Sequence, residues 1–492
     1  MFVDSVDSDI APSGTLLGLL QRGRGDGTLH ALAAPRAEAL GALRACVRRD
    51  PRRDWQIEHR SLYYARLHVE LDAGLDDIED HLFHADAADD AGDRLLPDRD
   101  AEARTGLALS VLGHLASYGD TSALHLLRRY ATTGANWQWA LDELAVRDDD
   151  SGLRALGPAV LARFPRTPEG DDALAAAATD AFEPRPWRLW AEDRAHPGQA
   201  ERLRQVGERR SFDRWQRQLR TPGPRPGWSV REVLDWAQAG HEQHPPQHRE
   251  AAASRCLAAV AAPGDRAELL AAARGLAEGA RCAALRHLAE RGDPDALDLI
   301  EEAAADPSET VRGAALTAFA RMRGTAALAR ARRWAAAADG ALPAGLPAVA
   351  AEMLACCGDR RDTHAVLTAL RRSVRDEGPD SPALWPLVDG AGRLAVTCAA
   401  PLLRHIYRET ASSQLRGRAA RALAATDPSF AAGFAVECLW DCEESTRELA
   451  AQHAATGDER VVERLRRLAA DPAEEAGVQS AVRGRLSPDG GR

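Results

Sequence analysis

Residues 306–324, DPSETVRGAALTAFARMRG, decide the fold. Asp306 and Pro307 read as a turn and a helix start. Val311, Ala314, Ala315 and Phe319 then fall on one face at helical spacing. Gly324 ends that helix, and residues 325–339, TAALARARRWAAAAD, supply a second one. The unit is a helix pair.

The unit repeats. Ala280-Arg281, Val311-Arg312, Leu415-Arg416 and Thr446-Arg447 each place a small or apolar residue before arginine. Alanine follows three residues later, at Ala284, Ala315, Ala419 and Ala450. The arginines are 31, 104 and 31 residues apart, and the long gap leaves room for further units of similar size. Asp306 and Asp441 stand six residues before their arginines, and Gly292, Gly324, Gly358 and Gly457 sit in the turn between paired helices. An alanine at that position lets a neighbouring helix approach closely. One helix pair cannot bury its apolar face alone, so stacking supplies the core.

DPSETVRGAALTAFARMRG and DCEESTRELAAQHAATG (441–457) resemble HEAT repeats, of the short kind named after phycobilisome lyases. The resemblance covers residues 251–478 best. It implies an all-α fold, a right-handed α-solenoid of stacked antiparallel helix pairs. It also implies that the repeat's aspartate and arginine join neighbouring units by hydrogen bonds, a role that falls here on Asp306, Arg312, Asp441 and Arg447.

Composition agrees with a helical chain. Alanine and leucine dominate the apolar share, isoleucine is scarce, and the good helix formers outnumber the β-branched residues. Earlier in the chain, residues 60–83, 105–130 and 136–164 read as helix pairs turning at 72–74, 119–120 and 148–150. The chain therefore divides into degenerate helical repeats over 1–183 with an acidic loop at 86–103, an Arg/Trp/Pro-rich insertion or irregular helical segment at 184–250, HEAT-like repeats at 251–478 and a flexible tail at 479–492.

The insertion holds the most concentrated chemistry. Residues 185–231 carry twelve arginines against five acidic residues, in a chain of net charge −11. Trp187, Trp190, Trp215 and Trp228 lie in the same segment. Arginine and tryptophan together are typical of interface hot spots. Leu203, Val206, Phe212, Trp215 and Leu219 mark a buried helical face, and Arg209, Arg210, Arg214, Trp215 and Arg217 are the candidate binding residues.

Other motifs read as structural. His241, His244 and His248 miss the zinc-protease spacing, because Pro245 stands where the second ligand belongs. Cys438 and Cys442 have no second pair at metal-ligand spacing. RGRGDG (22–27) has no preceding strand and no Lys-Ser/Thr, so it reads as a flexible turn. No cofactor and no metal are expected. The scattered cysteines and the start of the chain point to a cytoplasmic protein, and no apolar run is long enough to cross a membrane.

Two functions follow from this reading. The first is a non-catalytic scaffold or adaptor that binds another protein. The second, implied by the HEAT resemblance, is a HEAT-like enzyme acting on nucleic acid in the manner of a DNA glycosylase, or a chromophore lyase, with nucleic acid engaged only through 185–231.

Overall fold

The computed structural model describes residues 10–48, 60–87, 99–220, 227–337 and 340–487; the side chains of 85–87, 99–103 and 209–220 lie outside the described set. Among the described residues the chain is all-helical, with 28 α-helices, four short 3-10 turns and no strand. No described helix is long and apolar enough to cross a membrane. Most of the acidic stretch at 86–103 lies outside the described residues, between the helices Asp76–Ala87 and Arg99–Ser117. The chain forms two compact units, one of residues 1–220, 407–420 and 428–492, the other of 221–406 and 421–427.

In the second unit, DPSETVRGAALTAFARMRG forms the helix Glu309–Arg321. Its N-cap is Ser308 rather than Asp306; the hydroxyl accepts the Val311 N–H at 3.4 Å. Val311, Ala315, Ala318 and Phe319 are buried. Phe319 meets Trp334 of the following helix, Thr325–Ala335, with ring centroids 4.5 Å apart, which fixes the pair. On its other side the helix packs against Glu278–Arg291. Ala284 and Ala315 are fully buried here, and Ala419 and Ala450 are fully buried in the first unit, so all four repeat alanines lie at close helix contacts.

The polar rungs follow the same register. Arg281 Nη1 donates to Asp306 Oδ2 at 2.6 Å, 25 residues on. Arg416 donates to both carboxylate oxygens of Asp441 at 2.7 and 3.0 Å, again 25 residues on. Each aspartate therefore binds the arginine of the preceding unit. The arginine of its own unit turns back to the backbone: Arg312 Nη1 reaches the carbonyls of Asp306 and Pro307, and Arg447 Nη1 those of Asp441 and Cys442. Arg447 also reaches forward to both oxygens of Glu474.

The first unit begins with the turns read from sequence. Asp72 and Gly119 take positive φ of 49° and 92°, and Asp120 and Asp149 cap the helices Thr121–Thr133 and Asp150–Ala162. The segment 184–220 is helical and continues this packing. Trp187 and Trp190 are buried, Trp190 Nε1 donates to the Leu153 carbonyl at 2.7 Å, and the two rings stack edge to face with Trp137 nearby. These two tryptophans build the core rather than an interface.

RGRGDG is a built joint rather than a flexible turn. Gly23 has φ of +67° and its carbonyl accepts the Cys442 N–H at 2.9 Å and Arg416 Nη2 at 3.3 Å. A side chain at Gly23 would meet Cys442 Sγ, and one at Gly25 would meet the Glu437 carbonyl. Arg24, 4% exposed, donates to Glu437 Oε1 at 2.9 and 3.0 Å. Arg22 Nε reaches the Glu409 carbonyl and Arg60 Nη2 that of Ala411. Both ends of the chain thus share one unit and one set of buried contacts.

Candidate functional site: a cavity lined by arginines and aromatics

Where the N-terminal helices meet the C-terminal repeats, the first unit forms a cavity of about 280 Å³ that opens to the surface. One wall is the helix Ser61–Glu70. Tyr63, Arg66, Leu67 and Glu70 line the space at spacings of three and four residues, which puts them on one helical face. The opposite wall is the helix Glu459–Ala470, whose Arg464 and Arg467 are one turn apart and whose last turn leads into Asp471. Trp440, in the turn before the helix Glu444–His453, and Tyr118, after the helix Arg99–Ser117, complete the aromatic lining.

The carboxylates around this space are held in ion pairs. Asp471 accepts from Arg66 Nε at 2.9 Å and from the Tyr118 hydroxyl at 3.1 Å. Glu474 accepts from Arg66 at 2.9 Å and from Arg447 at 2.7 and 2.9 Å. Glu70 pairs with Arg467 at 3.1 Å, and Arg467 also holds Glu463. Asp441 is engaged by Arg416. Burial pushes the Glu474 carboxyl up, but the hydrogen bonds and charge of Arg447, with Arg66 behind them, outweigh it and bring the pKa down to about 2. Burial pushes the Tyr118 hydroxyl up to about 12 against the opposing pull of Arg66.

Arg464 is the exception. Its Nε donates to the Leu439 carbonyl at 3.2 Å and its guanidinium lies 5.2 Å from the Trp440 ring centroid. Among the described residues no carboxylate comes within ion-pair distance of it, and neither Nη has a partner. Desolvation, with the like charges of Arg66 and Arg447, pulls its pKa down to about 9. The arrangement leaves one guanidinium, backed by an aromatic ring, with no carboxylate in contact, beside a space whose carboxylates are all held by other arginines.

Arg209, Arg210, Arg214, Trp215 and Arg217 fall on the helix Pro197–Arg220, and their side chains lie outside the described residues. Earlier on that helix Leu203 and Val206 are buried, and Arg202 Nε donates to Asp171 at 2.8 Å. Asp306, Asp441 and Arg447 make side-chain contacts to the neighbouring unit, Arg312 reaches only backbone carbonyls of its own turn, and of the four only Asp441 also touches the cavity. His241 faces Glu278 at 3.5 Å. Among the described residues no group of three or more His, Cys, Asp or Glu is placed to hold a metal ion. Tyr63, Arg66, Tyr118, Trp440 and Arg464 carry no motif in the sequence. Locally the sequence shows only that 63, 66, 67 and 70 share a helical face, since the partners of Arg66 and Glu70 lie some 400 residues away.

No family model, curated protein or solved structure matches the chain.

Proposed function

We propose that the chain is a right-handed α-solenoid of HEAT-like helix pairs that works as a non-catalytic, cytoplasmic adaptor for another protein, and that the cavity at Arg464 receives part of that partner. Stacking through buried alanines and through arginine–carboxylate rungs 25 residues apart supports the repeat reading. One observation carries the functional part: Arg464 lines the cavity and, among the described residues, has no partner on either Nη, while the carboxylates there are already paired. Carboxylates held by arginine make poor general bases, because the charge that favours their ionised form lowers their affinity for a proton. An open guanidinium beside tryptophan is suited to holding a partner.

Site-specific photo-crosslinking tests this reading. A benzophenone amino acid at Val69, exposed on the rim of the cavity, is compared with one at Leu276, fully exposed in the second unit. A protein captured at Val69 and absent at Leu276 is the expected result. Identical capture at both positions, or none at Val69, would contradict it.

A further inference from the structure

From the open Arg464 Nη pair, the aromatic wall and the paired state of every neighbouring carboxylate, we infer that the cavity binds a single carboxylate carried on a compact apolar body. The inference rests on the reading of this cavity as a receiving site and names what enters it.

The charge of the ligand follows from what is already satisfied. Arg66, Arg447 and Arg467 each hold at least one carboxylate, and Arg464 holds none. Arg467 spans two carboxylates, Glu70 and Glu463, so the four arginines already balance four carboxylates, and what Arg464 lacks is a contact on its two Nη groups. One negative charge is the most that such a site takes. A phosphate, with about −1.5 to −2 charge, would bring its surplus charge close to Glu70, Asp471 and Glu474. Breaking their existing pairs to accommodate it would leave those carboxylates uncompensated.

The headgroup follows from the free face of Arg464. Its Nε is taken by the Leu439 carbonyl, so the remaining donors are the two Nη groups at the end of the fork. Two parallel N–H groups match the two oxygens of a carboxylate. The ring of Trp440 at 5.2 Å fixes the guanidinium plane from one side, which reduces the ordering cost when a ligand arrives.

The body follows from the walls and the size. Leu67, Val69, Ala470, Tyr63 and Trp440 present mostly apolar surface. A space of about 280 Å³ is at the low end of small-molecule sites, which run to about 1,000 Å³, so it holds roughly one large side chain with its carboxylate. Both a small organic acid and the last residue of a polypeptide have this chemistry.

Calorimetry on the full chain tests the inference with 3-phenylpropionate, its amide, an N-acetylated Ala-Ala-Ala-Phe acid, the same peptide as amide, and inorganic phosphate. At least one acid is expected to bind at least tenfold tighter than its amide and than phosphate. Arg464→Gln should abolish that preference while the protein still unfolds cooperatively, and Arg464→Lys should restore part of it. Tighter binding of the peptide acid identifies a chain terminus as the source, and tighter binding of the free acid identifies a metabolite. Equal binding of acid and amide, stronger binding of phosphate, no binding, or an acid preference that survives in Arg464→Gln each overturns the inference. The two readings can fail separately. Acid binding without capture at Val69 removes the adaptor reading alone, and capture at Val69 that is indifferent to Arg464→Gln removes the carboxylate alone.

Discussion

The same rung occurs in both units with very different surroundings. Arg281 and Asp306 in the second unit are 12% and 16% exposed, whereas Arg416 and Asp441 in the first are both 0% exposed. Spacing is identical at 25 residues, and the contact distances are 2.6 and 2.7 Å. What differs is the cover. Over Arg416–Asp441 lies the Gly23 turn from the other end of the chain, whose carbonyl takes Arg416 Nη2 and the Cys442 N–H. Repeat register chooses the partner of a rung, and long-range packing sets how much the rung contributes.

The largest effect should come from Arg416→Met. It strands the buried Asp441 carboxylate, and unpaired buried charges cost about 3–5 kcal/mol. Urea unfolding followed through first-unit helices should show that loss; a shift below 1 kcal/mol would erase the distinction between the rungs. Next comes Gly23→Ala, which combines a left-handed backbone with a methyl group placed against Cys442. A cost of about 2–4 kcal/mol is expected, with Gly292→Ala as the comparison, since that glycine also has positive φ but open space around its Cβ. Equal costs at the two glycines would mean that the Gly23 turn is not packed.

Acid should then act unevenly. The Glu474 carboxyl, at about 2 when folded, lies below its ordinary 4.5, so its contribution is complete above pH 4.5 and is lost as pH falls toward 2. Wild type should exceed Glu474→Gln by about 1–3 kcal/mol at pH 6, shrinking steadily below pH 4. A difference independent of pH would contradict the ion-pair account. The smallest effect is that of Arg281→Met, where the partly exposed rung should contribute less than about 1 kcal/mol. A loss as large as that of Arg416→Met would show that cover does not matter.

Much of the helical layout was legible because it is local. Turns at 72–74, 119–120 and 148–150 are written in Gly and Asp, and the four repeat alanines mark close contacts wherever they fall. The joint of the two chain ends was not legible. RGRGDG has the composition of a loose turn, and its tight packing depends on Glu437, Asp441 and Cys442, which nothing local announces. Trp187 and Trp190 misled in the other direction, since tryptophan beside arginine has the same composition whether it faces a partner or Leu153. The cavity was invisible for the same reason as the joint: Tyr63 and Arg66 gain meaning only opposite Arg464 and Asp471.

The amide exchange rate of Cys442 tests the union of the two chain ends most directly. Its N–H donates to the carbonyl of Gly23, at 2.9 Å across most of the chain's length. Exchange as slow as that of the core amide of Ala450 in wild type, accelerated many-fold by Gly23→Ala, is the expected result. Exchange as fast as an exposed turn, unchanged by that substitution, would mean that the ends do not meet and that the cavity between them is not formed.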